Sequence, residues 1–216
     1  MDEHLAFYHQ REIYPVPFAT PKTSPWLTKR TRILTGKWPK SLFCCLYAPR
    51  RGFPRQAFIH NNLGIRTGSR FHHMVIDVDS IPHGVAFINR HSLPETLMAR
   101  TGQRGFHLYY RLPEKAPLIP SSHDHVSSGI DIRGEFSFVT APPSLHGNGS
   151  RYEFINPSHP IAELPMATAL HLHDFGPSPY QHIRKVLRNY RTIKVLIGRE
   201  FLRHRLLAKP LPSSTP

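Results

Sequence analysis

Three short runs of alternating apolar and polar residues dominate the middle of the chain. They are Met-Val-Ile-Asp-Val-Asp (74–79), Gly-Phe-His-Leu-Tyr-Tyr-Arg (105–111) and Gly-Ile-Asp-Ile-Arg-Gly (129–134). Because successive side chains of a strand point to opposite faces, residues two apart share a face. The pattern therefore predicts three strands, each with a pair of polar side chains on one face. The pairs are Asp77 with Asp79, His107 with Tyr109, and Asp131 with Arg133.

The surrounding region predicts more strands, with little helix between the later ones. We expect strands at 62–68, 96–100, 136–141 and 152–155, and one helix-like stretch at 85–91. Residues 113–128 are rich in proline and serine, which predicts a loop. Strands that follow one another with few helices indicate an α+β fold rather than an alternating βαβ array.

The two ends of the chain have other patterns. Residues 1–14 predict a short amphipathic helix, whereas 15–60 are rich in proline and arginine and have no decisive periodicity. Residues 178–207 have apolar positions three and four apart, which predicts a helix whose opposite face is basic. We therefore expect a domain at 1–176 with a basic part (1–70) and a metal- and nucleotide-binding core (71–165), a basic helical segment at 177–208, and a disordered tail or linker at 209–216.

The charge of the chain points to a polyanionic partner. Its 216 residues include 28 Lys and Arg against 14 Asp and Glu, which gives a formal charge of +14. Residues 21–70 contain 11 of these cations and no acid, and residues 184–209 contain nine against the single Glu200. Such a balance is typical of nucleic-acid binding, although a basic surface can also serve an anionic membrane.

Cysteines and apolar runs bear on the location of the protein. Cys44 and Cys45 are adjacent and are the only cysteines, which fits neither a disulfide-stapled secreted protein nor a zinc site. No run approaches the ~18 apolar residues of a membrane span, and the first residues lack the pattern of a signal peptide. We expect a soluble, cytoplasmic protein without a membrane partner.

The polar pairs predict a site for metal and phosphate if their strands are neighbours in one sheet. Asp77, Asp79 and Asp131 would then converge near His107. All-oxygen ligands suit Mg²⁺ or Mn²⁺ rather than zinc, and two-metal transfer typically uses carboxylates to hold ions about 3.5–4 Å apart. His107 could bind a triphosphate oxygen, with charge added by Arg104 or Arg111. The pairs His72-His73, His123-x-His125 and His171-x-His173 are interpreted as solvated or loop histidines.

In this order, the motifs resemble the bifunctional primase–polymerase (prim-pol) family of the archaeo-eukaryotic primase superfamily. The resemblance runs from about Asn62 to Pro165, and more loosely back to Tyr14. The segments that carry it are Asn-Leu-Gly-Ile-Arg-Thr-Gly (62–68), Val-Ile-Asp-Val-Asp (75–79), Thr-Gly-Gln-Arg-Gly-Phe-His-Leu-Tyr-Tyr-Arg (101–111), Gly-Ile-Asp-Ile-Arg-Gly (129–134) and Val-Thr-Ala-Pro-Pro-Ser-Leu-His (139–146).

The resemblance implies an RRM-like antiparallel catalytic sheet packed with an N-terminal α/β unit. It also implies roles for site residues: the metal ligands would be Asp77, Asp79 and Asp131, and the nucleotide-binding residues His107, Ser144, His146 and Arg66. The chain departs from the family at Glu135-Phe136-Ser137, where a glycine pair is common. The bulkier Phe136 could narrow or reshape the nucleotide pocket.

These expectations give one main hypothesis and two alternatives. The main hypothesis is a template-directed DNA primase/polymerase that uses Mg²⁺ or Mn²⁺, single-stranded template, primer and nucleoside triphosphates in plasmid or phage replication. A replicative helicase could be a partner. The first alternative is a non-catalytic single-stranded-DNA-binding replication module with a degenerate site, and the second is a metal-dependent nuclease.

Overall fold

The computed structural model describes residues 1–19, 58, 61–102 and 104–175. Its helices are α1 (Asp2–His9), α2 (Ile81–Arg90) and α3 (Met166–Phe175), with a short 3₁₀ helix at Ser69–Phe71. Its strands are β1 (Val16–Ala19), β2 (Asn61–Thr67), β3 (His73–Val78), β4 (Met98–Arg100), β5 (Phe106–Arg111), β6 (Ser122–Ser127), β7 (Ile130–Arg133), β8 (Ser137–Ala141), β9 (Glu153–Phe154) and β10 (Ala162–Glu163). In this part of the chain, no helix has the length and apolar character needed to cross a membrane.

The strands form two sheets. The larger sheet has the order β6-β7-β3-β5-β4-β9 with antiparallel neighbours, and β10 joins β5 as a parallel strand. The smaller sheet has the antiparallel order β1-β2-β8. Two mainly antiparallel sheets with separate helices make an α+β fold, so the predicted fold class is confirmed.

The finer expectation of an RRM-like sheet remains a prediction. The central strands have the order β7-β3-β5-β4, and α2 connects β3 to β4. Between β5 and β7, however, residues 112–129 form loops and strand β6 rather than a helix. The smaller sheet also takes β8 from the second half of the chain, so the unit beside the larger sheet is not purely N-terminal.

Alternation along the strands of the larger sheet divides the core in two. Met74, Ile76 and Val78 of β3 are buried in one cluster, which includes side chains of α2 and α3. Val75 of β3 and Tyr109 of β5 are buried in the other, which includes side chains of α1 and the smaller sheet. Each large apolar side chain buried in this way contributes roughly 1.5–3 kcal/mol relative to exposure. Polar residues on the second face therefore point towards the smaller sheet.

The main difference from the predicted elements is β6, which lies in the segment that we expected to be a loop. Its sequence, Ser-His-Asp-His-Val-Ser, contains one apolar residue and has no alternating pattern. It is the outermost strand beside β7, and its pairing shifts register between Ser122 and Ser127. An edge strand with a solvated face needs little apolar character, so its sequence gave no strand signal.

Other elements lie close to their expected positions. Helix α2 begins four residues before the predicted stretch, at Ile81, because Pro82 is tolerated in the first turn of a helix. The helix expected at 178–207, the tail at 209–216 and most of the basic segment 15–60 lie outside the described residues.

Candidate active site

Three polar side chains form one row across the larger sheet. Asp77 on β3 lies opposite Asp131 on β7 and, on its other side, opposite His107 on β5. Directly opposite residues in antiparallel strands have Cβ atoms about 4.5–5.5 Å apart. The three strands predicted to carry the site are therefore neighbours. The row lies on the face that is directed towards the smaller sheet.

Arg133 compensates the negative charge of this row. Its Nη2 donates to Oδ2 of Asp77 at 2.9 Å and to Oδ2 of Asp131 at 2.8 Å. Because like charges directly opposite each other destabilise a sheet, a guanidinium between them stabilises the pair. The sequence placed Arg133 on the same face as Asp131 but indicated no contact with Asp77, which lies 56 positions away and meets Arg133 only through the strand register.

Asp77 is also bonded to the imidazole. Nε2 of His107 lies 3.3 Å from Oδ1 of Asp77, and both side chains are largely buried. Burial by itself raises the pKa of Asp77, but the hydrogen bond and charge of His107 and the charge of Arg133 lower it to about 2. Asp77 is thus ionised at neutral pH. Nδ1 of His107 is buried without a hydrogen-bond partner among the described residues, so it is available to a ligand.

Asp131 is held by donors from three directions. Besides Arg133, the backbone N–H of Asp124 donates to Oδ1 at 3.1 Å, and Nδ1 of His123 lies 2.6 Å from Oδ2. The His123 side chain is 76% exposed, which agrees with the predicted solvated histidine, but its contact with Asp131 was not predicted. That contact depends on β6, which the sequence did not indicate.

Asp79 lies just beyond the end of β3 and is exposed. Its backbone N–H donates to the carbonyl of Gly129, which leads into β7, at 2.9 Å. Partial burial and the negative charges of Asp77 and Asp131 raise the pKa of Asp79. Within the described parts of the chain, no cationic side chain forms an ion pair with Asp79. The carboxylate of Asp79 therefore lies at the same end of the sheet as Asp77 and Asp131. It adds a negative charge that has no ion-pair partner among the described residues.

The donor set suits a divalent cation. Three carboxylates with oxygen ligands only are the chemistry of Mg²⁺ or Mn²⁺. The pKa of Asp79 is raised first by burial and then by the negative charges of Asp77 and Asp131. Arg133 lies between Asp77 and Asp131 in the structure. No three acidic, His or Cys side chains of the described residues are grouped closely enough to coordinate one ion.

A cavity of about 230 Å³ opens beside the row. The larger sheet contributes Asp77, His107 and Arg133 to its wall, and the remaining lining residues are Phe138, Val139, Thr140 and Tyr152. Phe138 of β8 lines this cavity, whereas Phe136, which precedes β8, is not among its lining residues. Phe136 instead has a left-handed backbone with φ of +54°, a conformation that favours glycine.

Arg104 lies in the turn between β4 and β5, and its side chain is exposed. This turn packs against the end of β3, since a Cβ atom at Gly105 would lie 2.2 Å from the carbonyl oxygen of Val78. Arg104 is therefore at the same end of the sheet as Asp79. Its role as a nucleotide-binding residue stays a prediction.

Ser144 and His146 follow β8 and lie near the cavity in different ways. The Ser144 hydroxyl is buried, accepts the N–H of Leu63 at 2.8 Å and donates to the carbonyl of Leu63 at 3.1 Å, so it fastens the loop to β2. The ring of His146 lies 6.1 Å from that of Tyr152, which in turn lies 5.9 Å from that of His107. His146 is thus separated from the row by one aromatic ring.

Arg111 lies away from the carboxylates along β5, and the described contacts of Arg66 are with Tyr14 and Phe71. Arg111 lies opposite His73, at the other end of β5 from His107, and four strand residues correspond to about 13 Å. Arg66 is buried on β2, where its guanidinium lies 4.4 Å from the ring centroid of Phe71. Nucleotide binding by Arg111 and Arg66 stays a prediction.

Comparison with known proteins gives a family assignment. No curated protein matches the chain. The family model for the N-terminal domain of the bifunctional DNA primase/polymerase (Prim-Pol) matches residues 14–167, which is more than half of the chain. The matched range includes the three carboxylates, His107 and both sheets. The chain therefore belongs to the Prim-Pol family.

Proposed function

We propose that this chain catalyses template-directed nucleotidyl transfer, as a DNA primase or polymerase. Its family points to a primase/polymerase type of function. The observation that carries the specific proposal is the row of Asp131, Asp77 and His107 on three neighbouring strands beside a cavity. The substrates would be nucleoside triphosphates with a single-stranded DNA template and a primer. A helicase partner has no support in the described residues, and we do not propose one.

Asp77, Asp79 and Asp131 are the residues that would hold Mg²⁺ or Mn²⁺. When bound, such an ion assists ionisation of the attacking 3′-hydroxyl and stabilises charge on the reacting phosphate. The low pKa of Asp77, about 2, keeps this carboxylate ionised at any physiological pH, with His107 and Arg133 as its partners in the structure. Asp131 is oriented by the N–H of Asp124. The chain therefore supplies one preoriented pair and a third carboxylate at the end of β3.

His107 would orient the phosphates of the nucleoside triphosphate. With Nε2–H directed at Asp77, Nδ1 is an acceptor in the neutral ring and a second donor in the protonated ring. Nδ1 has no partner among the described residues, and the protonated ring could donate from it to a phosphate oxygen. Orientation of the reacting groups in this way can supply a large part of the rate enhancement.

The size of the cavity indicates which part of the nucleotide it would hold. Its volume of about 230 Å³ is below the roughly 300–1,000 Å³ of typical small-molecule sites. We therefore place the phosphates in the cavity, near Arg133, and the sugar and base outside it. Phe138 and Tyr152 in the wall offer apolar contact at the opening.

A second candidate function is a non-catalytic replication module that binds single-stranded DNA. Two observations favour it. Arg133 bridges the two carboxylates that would bind metal, and the chain has Glu135-Phe136-Ser137 where the family commonly has a glycine pair. The same fold and basic charge would serve strand binding without chemistry.

The experiment that separates these candidates is nucleotide incorporation on single-stranded DNA, with and without a primer, in Mg²⁺ or Mn²⁺. Product on the unprimed template would identify a primase, and product only from the primer would identify a polymerase. Strand binding without product under any condition would favour the non-catalytic module. A parallel reaction without nucleotides tests the nuclease alternative, since only a nuclease shortens labelled single-stranded DNA.

A further inference from the structure

A second and larger pocket lies at the opposite end of β3 from Asp77. Its volume is about 520 Å³, within the range typical of small-molecule sites. It is lined by Glu12, Ile13, Tyr14, Arg66, Arg70, Phe71, His72 and His73. His73 and Asp77 lie on the same strand, four residues and thus about 13 Å apart. The two pockets are therefore separate sites.

Two arginines make the wall of this pocket cationic. Arg66 is 3% exposed, donates to the carbonyl of Tyr14 at 3.4 Å and lies over the ring of Phe71. Arg70 is exposed, with its guanidinium carbon 5.9 Å from the centroid of the same ring. Glu12 is the one acid among the lining residues, and its carboxylate is mostly exposed and 3.9 Å from Arg111. An anion is the ligand that this charge favours.

His73 was interpreted from the sequence as a solvated or loop histidine, but it is buried at the start of β3 and adds a hydrogen-bond acceptor to the same wall. Its Nδ1 lies 2.5 Å from the carbonyl oxygen of Phe71, so Nδ1 carries the proton and donates. Nε2 is then an acceptor in the neutral ring, and it is buried without a partner among the described residues. Burial lowers the pKa of His73, which favours the neutral ring. Such an acceptor calls for an N–H or O–H from a ligand.

Aromatic rings complete the pocket. Tyr14 is 39% exposed at the rim, and Phe71 lies beneath the two arginines. Aromatic side chains beside arginines are typical of sites for unpaired nucleobases, because every base has a face that can stack. A phosphate alone would use the arginines but would have no use for the ring of Tyr14 or for an acceptor at His73.

We propose that this pocket binds one nucleotide unit, from a single strand or as a free nucleotide. The phosphate would contact Arg70 and Arg66, the base would stack on Tyr14, and an N–H of the base edge would donate to Nε2 of His73. Nucleic acid is the relevant polyanion because the chain belongs to a family of DNA primases/polymerases. The site does not depend on catalysis at the acidic row.

Binding measurements on the full chain test this proposal. Fluorescence anisotropy with a labelled short oligodeoxynucleotide should show weaker binding for Tyr14→Ala and Arg70→Gln, by about five-fold or more for the lost stacking contact. Arg90→Gln on α2 and Phe175→Ala on α3 are matched controls, since both residues are exposed and belong to helices that pack on the other face of the larger sheet. These controls should bind as the wild type does.

Two further measurements make the result specific. Photocrosslinking of an oligonucleotide that carries 5-iododeoxyuridine should modify Tyr14 or Phe71. Competition by deoxynucleoside monophosphates would assign the site to free nucleotides, and its absence would assign the site to a strand. Binding is measured without nucleoside triphosphates, so failure of catalysis would not affect the test. Unchanged affinity in both Tyr14→Ala and Arg70→Gln, with no crosslink to Tyr14 or Phe71, would overturn the proposal.

Discussion

At the scale of single residues, the main feature of the candidate active site is the balance of charge between its carboxylates and Arg133. Two carboxylates face each other across β3 and β7, and Arg133 supplies the only positive charge that bridges them among the described residues. Such a pair is destabilising by itself, because like charges lie opposite each other. Arg133 compensates this charge in the structure, and under the proposed function a divalent cation would do so.

We predict that Arg133 competes with a divalent ion for Asp77 and Asp131. In Arg133→Gln the competing charge is gone, so Mn²⁺ should bind roughly ten-fold more tightly, given the ~1.5–3 kcal/mol typical of charged hydrogen bonds. Titration of Mn²⁺ by electron paramagnetic resonance measures this affinity directly. Arg100→Gln is the matched control, because Arg100 is exposed and pairs with Glu153 instead. Equal or weaker Mn²⁺ binding in Arg133→Gln would show that Arg133 does not occupy the ion's place.

Phe136 has a backbone conformation that its side chain disfavours. A residue other than glycine with φ near +54° costs about 1–2 kcal/mol. Phe136→Gly and Phe136→Ala both lose the half-buried ring, but only glycine relieves the backbone. Chemical denaturation should therefore show Phe136→Gly to be more stable than Phe136→Ala by about 1 kcal/mol. Equal stability of the two variants would be inconsistent with a left-handed residue at this position.

At the scale of elements, the sequence predicted the strands that are largely buried and carry apolar runs. β3, β5 and β7 each carry an apolar run with polar residues at alternate positions, so their bounds and their facing residues could be predicted. β6 could not, because an edge strand of serine and histidine has no such pattern. The contacts of Arg133 and His123 were missed for a related reason. These contacts depend on which strands are neighbours and on their register. A local sequence pattern predicts neither of them.

The turn between β4 and β5 depends on Gly105. A Cβ atom there would lie 2.2 Å from the backbone oxygen of Val78, and backbone cannot move aside as a flexible side chain can. Gly105→Ala should therefore destabilise the fold by at least about 1–3 kcal/mol. Gly147→Ala is the matched control, since nothing lies within 4 Å of its Cβ position. Urea denaturation of both variants tests this, and a Gly105→Ala variant as stable as Gly147→Ala would contradict the close approach of the turn to β3.

His73, at the start of β3, should make the free energy of unfolding depend on pH. Burial, together with the charges of Arg111 and His72, lowers the pKa of His73, while the Phe71 carbonyl and Glu12 act the other way. Below the ordinary pKa of about 6.5, the unfolded state binds a proton that the folded state disfavours, so the free energy of unfolding falls as the pH is lowered. His73→Asn should reduce this fall between pH 7.5 and pH 5.5, measured as the urea midpoint. An identical pH dependence in the variant would exclude His73 as a cause.

At the scale of the whole molecule, the interface between the two sheets organises both candidate sites. The acidic row and its cavity lie at one end of β3, and the basic, aromatic pocket lies at the other. The formal charge of +14 gives the chain a general attraction to nucleic acid. Under the proposed function, the acidic row within such a basic protein would add catalysis to strand binding.

The most direct test of the central claim compares Asp77→Asn and Asp131→Asn with Asp174→Asn, an exposed control on α3. We predict that the first two reduce nucleotide incorporation by at least about 100-fold, the magnitude typical of groups that stabilise transition-state charge. Binding to single-stranded DNA and the thermal midpoint should stay near those of the wild type, and Asp174→Asn should remain active. Incorporation at the wild-type rate in Asp77→Asn and Asp131→Asn would contradict the assignment of the acidic row as the catalytic centre.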